Sequence, residues 1–334
     1  MSAETTSLDD VQALGKERLL SYLHEMVFIR RFEAKSGEMY TKGKIHGFLH
    51  LYTGQEACSV GAIHNLEDRD HVITHYRDHG HAISRGIEPK KIMAELYGKE
   101  TGISHGRGGS MHLYDVSKHF WGGYAIVAAH LPLAVGLGLS SKLKHEDAVT
   151  MCIFGDGSVG EGEFHEALNL AQLWSTPVVW FCENNLYGMG VPFQQSLSTE
   201  IYKLAEAYGM PAVQIDGMDV VEVHNRVQEA VQHVREGNGP YFVEAMTYRY
   251  RGHSMADPEL YRLKDEIEEY RKRDAIELLK SQLQEAGWLD EDTMSDIEER
   301  VEREVDEAVQ FAEESEEPGM DTLHDHVMKE RSSD

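Results

Sequence analysis

Three cysteines in 334 residues are too few, and odd in number, for a disulfide framework. Cys58, Cys152 and Cys182 lie in apolar stretches without metal-ligand spacing, so reduced, buried thiols are expected. Basic side chains are also scarce: 32 stand against 58 acidic ones, for a formal net charge of −26. That balance argues against binding a phosphate backbone or an anionic membrane surface. It suits a well-solvated surface or, less commonly, a salt-rich cell interior. No long uninterrupted apolar run is present. The nearest, Ala125 to Leu143, is broken by His130, Pro132 and small residues, and reads as a core helix and not a membrane span. The first fifteen residues carry acidic but no basic side chains and no apolar core, unlike a secretory signal or an organellar transit peptide; a prokaryotic cytoplasm is the expectation. Neither GxxxxGK[ST] nor a Rossmann glycine triplet following a strand occurs, which removes the usual marks of a nucleotide-binding phosphotransferase.

What is present centres on residues 148–190. An apolar run, Ala148 to Phe154, has the length and β-branched content of a strand buried on both faces, and Gly155-Asp156-Gly157 ends it. Phe164, Ala167, Leu168, Ala171 and Trp174 then recur at helical spacing, predicting one apolar helix face. A second strand, Pro177 to Cys182, stops at Glu183-Asn184-Asn185. Such a unit crosses over right-handed, so the strands run parallel and Asp156 and Asn185 face one crevice at their carboxyl ends. Carboxylate, amide and loop carbonyl are hard oxygen ligands that suit Mg²⁺ or Ca²⁺, and Mg²⁺ commonly bridges protein oxygens to a diphosphate. Glycines at 155, 157, 160 and 162 would let backbone approach that anion.

Further strands at Ala212–Ile215 and Tyr241–Met246 flank a helix marked by Val220, Val223, Val227 and Val234. The whole predicts an α/β fold, a doubly wound, mainly parallel sheet with helices on both faces. Residues 1–40 read as an N-terminal helical arm whose stripe of Leu19, Leu20, Leu23, Met26, Val27 and Phe28 is a packing or interface surface. Residues 41–262 form the ligand-binding domain. Residues 263–334 read as an acidic helical region packed on it, through Ile276, Leu279, Leu283, Val301, Val305 and Val309, with a frayed tail after Glu316. Seven histidines fall between His46 and His81, but their spacing does not repeat on one helix face and no cysteine joins them, which speaks against zinc. The glycines of Thr101–Gly109 predict an irregular loop that either approaches a ligand or moves.

GDG at 155–157 and NN at 184–185, with 26 residues between them (158–183), resemble the fingerprint of thiamine diphosphate enzymes. More narrowly the chain resembles the α subunits of the pyruvate dehydrogenase E1 component. The blocks GFLHLYTGQEA (47 to 57), HYRDHG (75 to 80), GRGGSMHLYD (106 to 115), GGYAIVAAHLPLA (122 to 134), ENNLYGMG (183 to 190) and YRYRGHSMADPELYR (248 to 262) carry that likeness in the same order. The resemblance implies the thiamine diphosphate-binding fold, with thiamine diphosphate and Mg²⁺ as cofactors. It assigns the metal to Asp156, Asn185 and the carbonyl of Tyr187. It assigns the diphosphate to Tyr76, Arg77, Gly157 and Ser158, and the thiamine to backbone groups of Ala125 and Val127. His50 and His253 would serve the reacting end as catalytic residues, His253 also touching the cofactor. The implied partners are an E1 β subunit, in an α2β2 heterotetramer that supplies a glutamate to the cofactor, and a lipoyl-bearing E2 acyltransferase. The implied substrate is a 2-oxo acid. GMG after Tyr187 and GHSMADP at 252–258 look more like pyruvate and acetoin enzymes than the branched-chain 2-oxo acid enzyme, so pyruvate is the first expectation and acetoin the alternative. Ser254 matches a serine phosphorylated in mammalian members, whereas Val191-Pro192 and Glu259-Leu260 occupy the regions of their other regulatory serines, so kinase control is not expected. Retention of Asp156, Asn185 and His253 argues against a catalytically idle structural subunit.

Overall fold

A computed structural model describes residues 6–325. The chain opens with α1 (Leu8–Leu14), α2 (Lys16–Thr41) and α3 (Glu56–Ile63), then β1 (His71–His75), α4 (His79–Ser84) and α5 (Pro89–Leu96). The middle is β2 (Phe120–Tyr124), α6 (Leu131–Lys144), β3 (Thr150–Gly155), α7 (Gly162–Trp174) and β4 (Val178–Asn184). A small antiparallel pair, β5 (Tyr187–Gly188) with β6 (Val191–Pro192), precedes α8 (Phe193–Ser196), α9 (Ile201–Ala207), β7 (Ala212–Asp216), α10 (Val220–Arg235) and β8 (Tyr241–Met246). The acidic end folds as α11 (Lys264–Arg271), α12 (Ala275–Glu285) and α13 (Glu291–Glu314).

Six strands form one sheet in the order β2-β1-β3-β4-β8-β7, every pair parallel. Side chains alternate across it, as strand geometry requires. Met151, Ile153, Val179 and Phe181 join the core beneath α2, α3, α10 and α12, whereas Cys152, Phe154, Trp180 and Cys182 join the core beneath α6, α7 and α9. Helices therefore cover both faces, and all three cysteines are free and buried, as the composition predicts. From β1 the sheet grows outward to β2, and from β3 it grows the other way through β4. The chain reverses between β1 and β3, and the carboxyl ends at such a reversal leave an open crevice.

Two expectations change, and one open reading is decided. Phe164, Ala167, Leu168 and Ala171 are fully buried on α7, but Trp174, at its end, is 40% exposed, because the helix has already run past the sheet. Of the two readings of the Leu19–Phe28 stripe, packing holds: Leu19, Leu23 and Met26 are fully buried inside this chain, with Ile29 and Phe32. Arg30 Nη2 reaches Glu56 Oε2 on α3 at 2.8 Å and Asp274 Oδ2 before α12 at 3.0 Å, so α2 is clamped into the core. The tail past Glu316 is tied down for several residues, with Glu100 N–H donating to the Glu316 carbonyl (3.0 Å) and Arg107 Nη2 to the Thr322 carbonyl (2.9 Å); residues 326–334 lie outside the described residues. The acidic helices behave as expected, with Leu279, Leu283, Val301 and Val305 buried and the carboxylates facing out.

The glycine-rich loop does approach an anion, but the anion is the chain's own. Glu95, fully buried at the end of α5, accepts the backbone N–H groups of Ser104 (2.9 Å), Gly106 (2.8 Å), Gly108 (2.7 Å) and Gly109 (3.0 Å). Four charge-assisted bonds hold the loop in place.

Candidate active site at the carboxyl edge

A cavity of about 410 Å³ opens at the reversal point, walled by residues that directly follow the strands. His75, Tyr76 and Arg77 come from the end of β1, Val127 from beyond β2, Gly155 to Ser158 from the end of β3, Asn185 from the end of β4 and Arg249 from beyond β8. Tyr187, Gly188 and His253 complete it. Of the residues expected at a cofactor, Ala125 alone neither lines the cavity nor touches its walls through an assigned contact; it sits just past β2, next to Ile126. A larger cleft of about 1130 Å³ beside edge strand β7 holds none of the expected residues.

The GDG turn and the β5–β6 hairpin meet without side chains between them. A Cβ on Gly157 would lie 3.2 Å from Gly188 Cα, and one on Gly188 would lie 3.3 Å from Gly157 Cα. This close approach places Asp156 beside Asn185 and Tyr187. Burial lifts the Asp156 carboxyl to about 7, partly countered by Arg249, and its Oδ2 is buried with no hydrogen-bond partner. Of the two asparagines, Asn184 turns away to donate to Glu244 Oε1 (2.8 Å), and Asn185 faces the cavity. An orphaned carboxylate oxygen next to an amide oxygen and the Tyr187 carbonyl fits a hard divalent cation, which would restore the charge that burial suppresses.

Positive charge lines the cavity as well. Arg77 is 2% exposed and remains cationic although burial lowers it to about 10. Two of its N–H groups donate to the Leu51 and His253 carbonyls at 2.7 Å each, so it joins the His50 and His253 loops as well as facing the cavity. Arg249, quoted in a sequence block but given no role there, donates to the carbonyls of Met189 (3.0 Å) and Tyr187 (3.4 Å) and braces the hairpin. Both guanidiniums favour an anion between them and the GDG turn.

The two histidines meet. The His50 and His253 rings stand 5.1 Å apart, edge to face, with Tyr76 4.7 Å from the first and 5.5 Å from the second. Burial, with Arg77 beside both, drives His50 down to about 2 and His253 to about 3. Both are neutral at physiological pH. His50 Nδ1 lies 3.2 Å from the Phe48 carbonyl and so carries the proton, leaving Nε2 with a lone pair.

Three of the seven clustered histidines serve buried carboxylates. His79 Nδ1 lies 2.9 Å from Glu33 Oε1, whose charge, against the opposing effect of burial, raises the imidazole. His75 and His81 flank Glu183, each Nε2 3.1 Å from one carboxylate oxygen. These three groups have metal-ligand proximity. The tautomer excludes it: Arg77 backbone N–H donates to His75 Nδ1 (3.0 Å), so Nε2 carries the proton and cannot ligate. Burial would raise Glu183, yet His81 and His75 outweigh it and hold the carboxyl at about 2.

A family model described as "Dehydrogenase E1 component" matches residues 24–321. The pyruvate dehydrogenase E1 component subunit alpha of Rhizobium meliloti is 42% identical over 320 residues, covering 95% of this chain and 92% of that relative. The protein of the same description from Porphyra purpurea is 43% identical over 318 residues, covering 93% of this chain and 92% of the relative. That of Zymomonas mobilis is 42% identical over 316 residues, covering 94% and 89% respectively. A match that spans both sheet halves and every wall of the cavity places the chain plainly: it belongs to the dehydrogenase E1 component family.

Proposed function

We propose that this chain is the α subunit of a thiamine diphosphate-dependent pyruvate dehydrogenase, completed by a β subunit and delivering its acyl group to a lipoyl-bearing E2 protein. The observation that carries the reading is the cavity wall itself, where the oxygens of Asp156, Asn185 and Tyr187 and the guanidiniums of Arg77 and Arg249 line one space. The family is thiamine diphosphate-dependent, and the relatives' descriptions name pyruvate. When bound, the cofactor supplies a carbanion that attacks the keto carbon and a ring that accepts the electrons released with CO₂.

The chain's own groups divide the remaining tasks. Asp156 and Asn185, with the Tyr187 carbonyl, would hold Mg²⁺, and Tyr76, Arg77, Gly157 and Ser158 would hold the diphosphate. Val127, which lines the cavity, would contact the thiamine through its backbone, as would Ala125 two residues earlier. His50 Nε2 offers a lone pair, and His253 Nδ1, buried without a partner, a second ring nitrogen, for hydrogen bonds to the substrate end. Kept neutral, both rings would present dipoles and not a fixed charge to the reacting carbon.

A partner subunit is supported by the rim. Met189, which lines the cavity, is 67% exposed, and Ile126, beside the lining residue Val127, is 72% exposed, on a strongly acidic chain. Among the described residues the cavity carboxylates are Asp156 and Glu161, both following β3 at the diphosphate end, so the acid that protonates the aminopyrimidine must come from outside this wall. An α2β2 arrangement meets that need, and the bacterial relatives support a prokaryotic cytoplasmic setting.

Initial rates of the assembled enzyme on pyruvate, acetoin and 3-methyl-2-oxobutanoate, with an artificial electron acceptor, test the substrate. Pyruvate should dominate; a dominant rate on either other compound replaces the assignment with acetoin or branched-chain chemistry.

A further inference from the structure

Gln55 stands at the start of α3 and is fully buried. Its side chain spans two groups already described: Nε2 lies 3.2 Å from Glu183 Oε2, and Oε1 lies 3.0 Å from Asn185 Nδ2. Neither end is free to exchange. Glu183 receives the Tyr52 hydroxyl on Oε1 and the His75 Nε2 proton on Oε2 (3.1 Å), and the His75 tautomer is set by the Arg77 backbone N–H. A carboxylate so surrounded accepts hydrogen bonds only, so Gln55 must turn its NH₂ toward it and its oxygen toward Asn185. Asn185 must in turn present NH₂ to Gln55, which puts Oδ1 on the other side of its amide. There Oδ1 has only a long contact, 3.4 Å, from Tyr187 N–H.

We propose that Gln55, held by the Glu183 hub, is a positioning residue that fixes which atom of Asn185 faces the cavity, selecting the oxygen for a divalent cation. The inference rests on the cation reading of the preceding subsection and adds the device that makes Asn185 a ligand. Without it the Asn185 amide could rotate by half a turn and offer two N–H donors to a cation. Gly54, next to Gln55, shows how tightly the segment is seated: at φ +105°, a Cβ there would lie 2.3 Å from the Tyr248 carbonyl.

The test is Mg²⁺ titration by calorimetry into the assembled enzyme at saturating thiamine diphosphate. Gln55→Met keeps the volume and removes both hydrogen-bonding ends, and it should weaken Mg²⁺ binding by about 10- to 100-fold, the usual range for removing a group that orients a ligand. In an Asn185→Asp background orientation no longer matters, because both atoms are oxygens, and Gln55→Met should then leave the Mg²⁺ affinity nearly unchanged. Equal weakening in both backgrounds, or no weakening in either, overturns the positioning role, as does a lowered melting temperature with unchanged affinity. If Gln55→Met does not fold, Gln55→Ala is compared in the same two backgrounds, and equal weakening in both contradicts the proposal. Absence of Mg²⁺-dependent cofactor binding in the unaltered enzyme removes the cation reading itself, a different outcome from any of these.

Discussion

Asp78 sits fully buried with neither carboxylate oxygen hydrogen-bonded, and burial raises it from 3.8 to about 8. The folded state therefore binds this proton more tightly than the unfolded chain. Its effect on stability is absent below the ordinary carboxylate range and grows more unfavourable as pH rises toward 8. Asp78→Asn should melt close to the unaltered protein at pH 4.5 and several degrees higher at pH 8, and a melting difference that stays constant across that range would show the side chain to be ionised throughout. At His253 the expectation concerns catalysis. His253→Ala removes a group at the reacting end, so kcat should fall far more than cofactor affinity; equal losses in both would make His253 a binding residue only. The Asp156 and Asn185 pair was legible from strand length and spacing alone, because a βαβ unit places both strand ends on one edge. The pairing of His50 with His253 was not, since no periodicity links two loops so far apart, and only the resemblance joined them. Gln55 and Arg249 stood in quoted blocks without a role, because their partners are set by tertiary contacts.

At the scale of elements, the turn after β3 and the β5–β6 hairpin depend on each other. Gly157→Ala would press its Cβ to 3.2 Å from Gly188 Cα, backbone against backbone, so one element must shift. Thiamine diphosphate affinity should drop, with a stability loss on the order of 1 kcal/mol; unchanged affinity in calorimetry would mean that the hairpin moves freely. Glu95 is the comparable hinge pin for the glycine loop. Glu95→Gln exchanges a charged acceptor of four backbone N–H groups for a neutral amide, at a cost of about 2 kcal/mol. Limited proteolysis should then cut between Thr101 and Gly109, and a cleavage rate equal to that of the unaltered chain would contradict the anchoring role. The sequence showed glycines that admit close backbone approach, but not that the approaching anion was Glu95, whose own helix gives no sign of the loop folding back over it.

For the molecule as a whole, strand alternation and crossover handedness made the parallel sheet readable before any coordinates. The placement of α2 was not readable. Its stripe of Leu19, Leu23 and Met26 could face a partner or this chain's core, and burial decides for the core. Among the exposed large apolar side chains, Met189 lines the cavity and Ile126 adjoins its lining residue Val127. Covering them with a β subunit should make activity depend on assembly, and the chain alone, saturated with Mg²⁺ and thiamine diphosphate, should not sustain pyruvate decarboxylation at a rate comparable to the reconstituted complex. The carboxyl-edge site itself is tested most directly by titrating thiamine diphosphate into the assembled enzyme with and without Mg²⁺, for the unaltered chain and for Asp156→Ala. Binding should require Mg²⁺ in the unaltered enzyme and weaken by at least ~2 kcal/mol in the variant, as expected for losing a charged, buried interaction. Equal binding by both chains, or binding indifferent to Mg²⁺, would place the cofactor elsewhere.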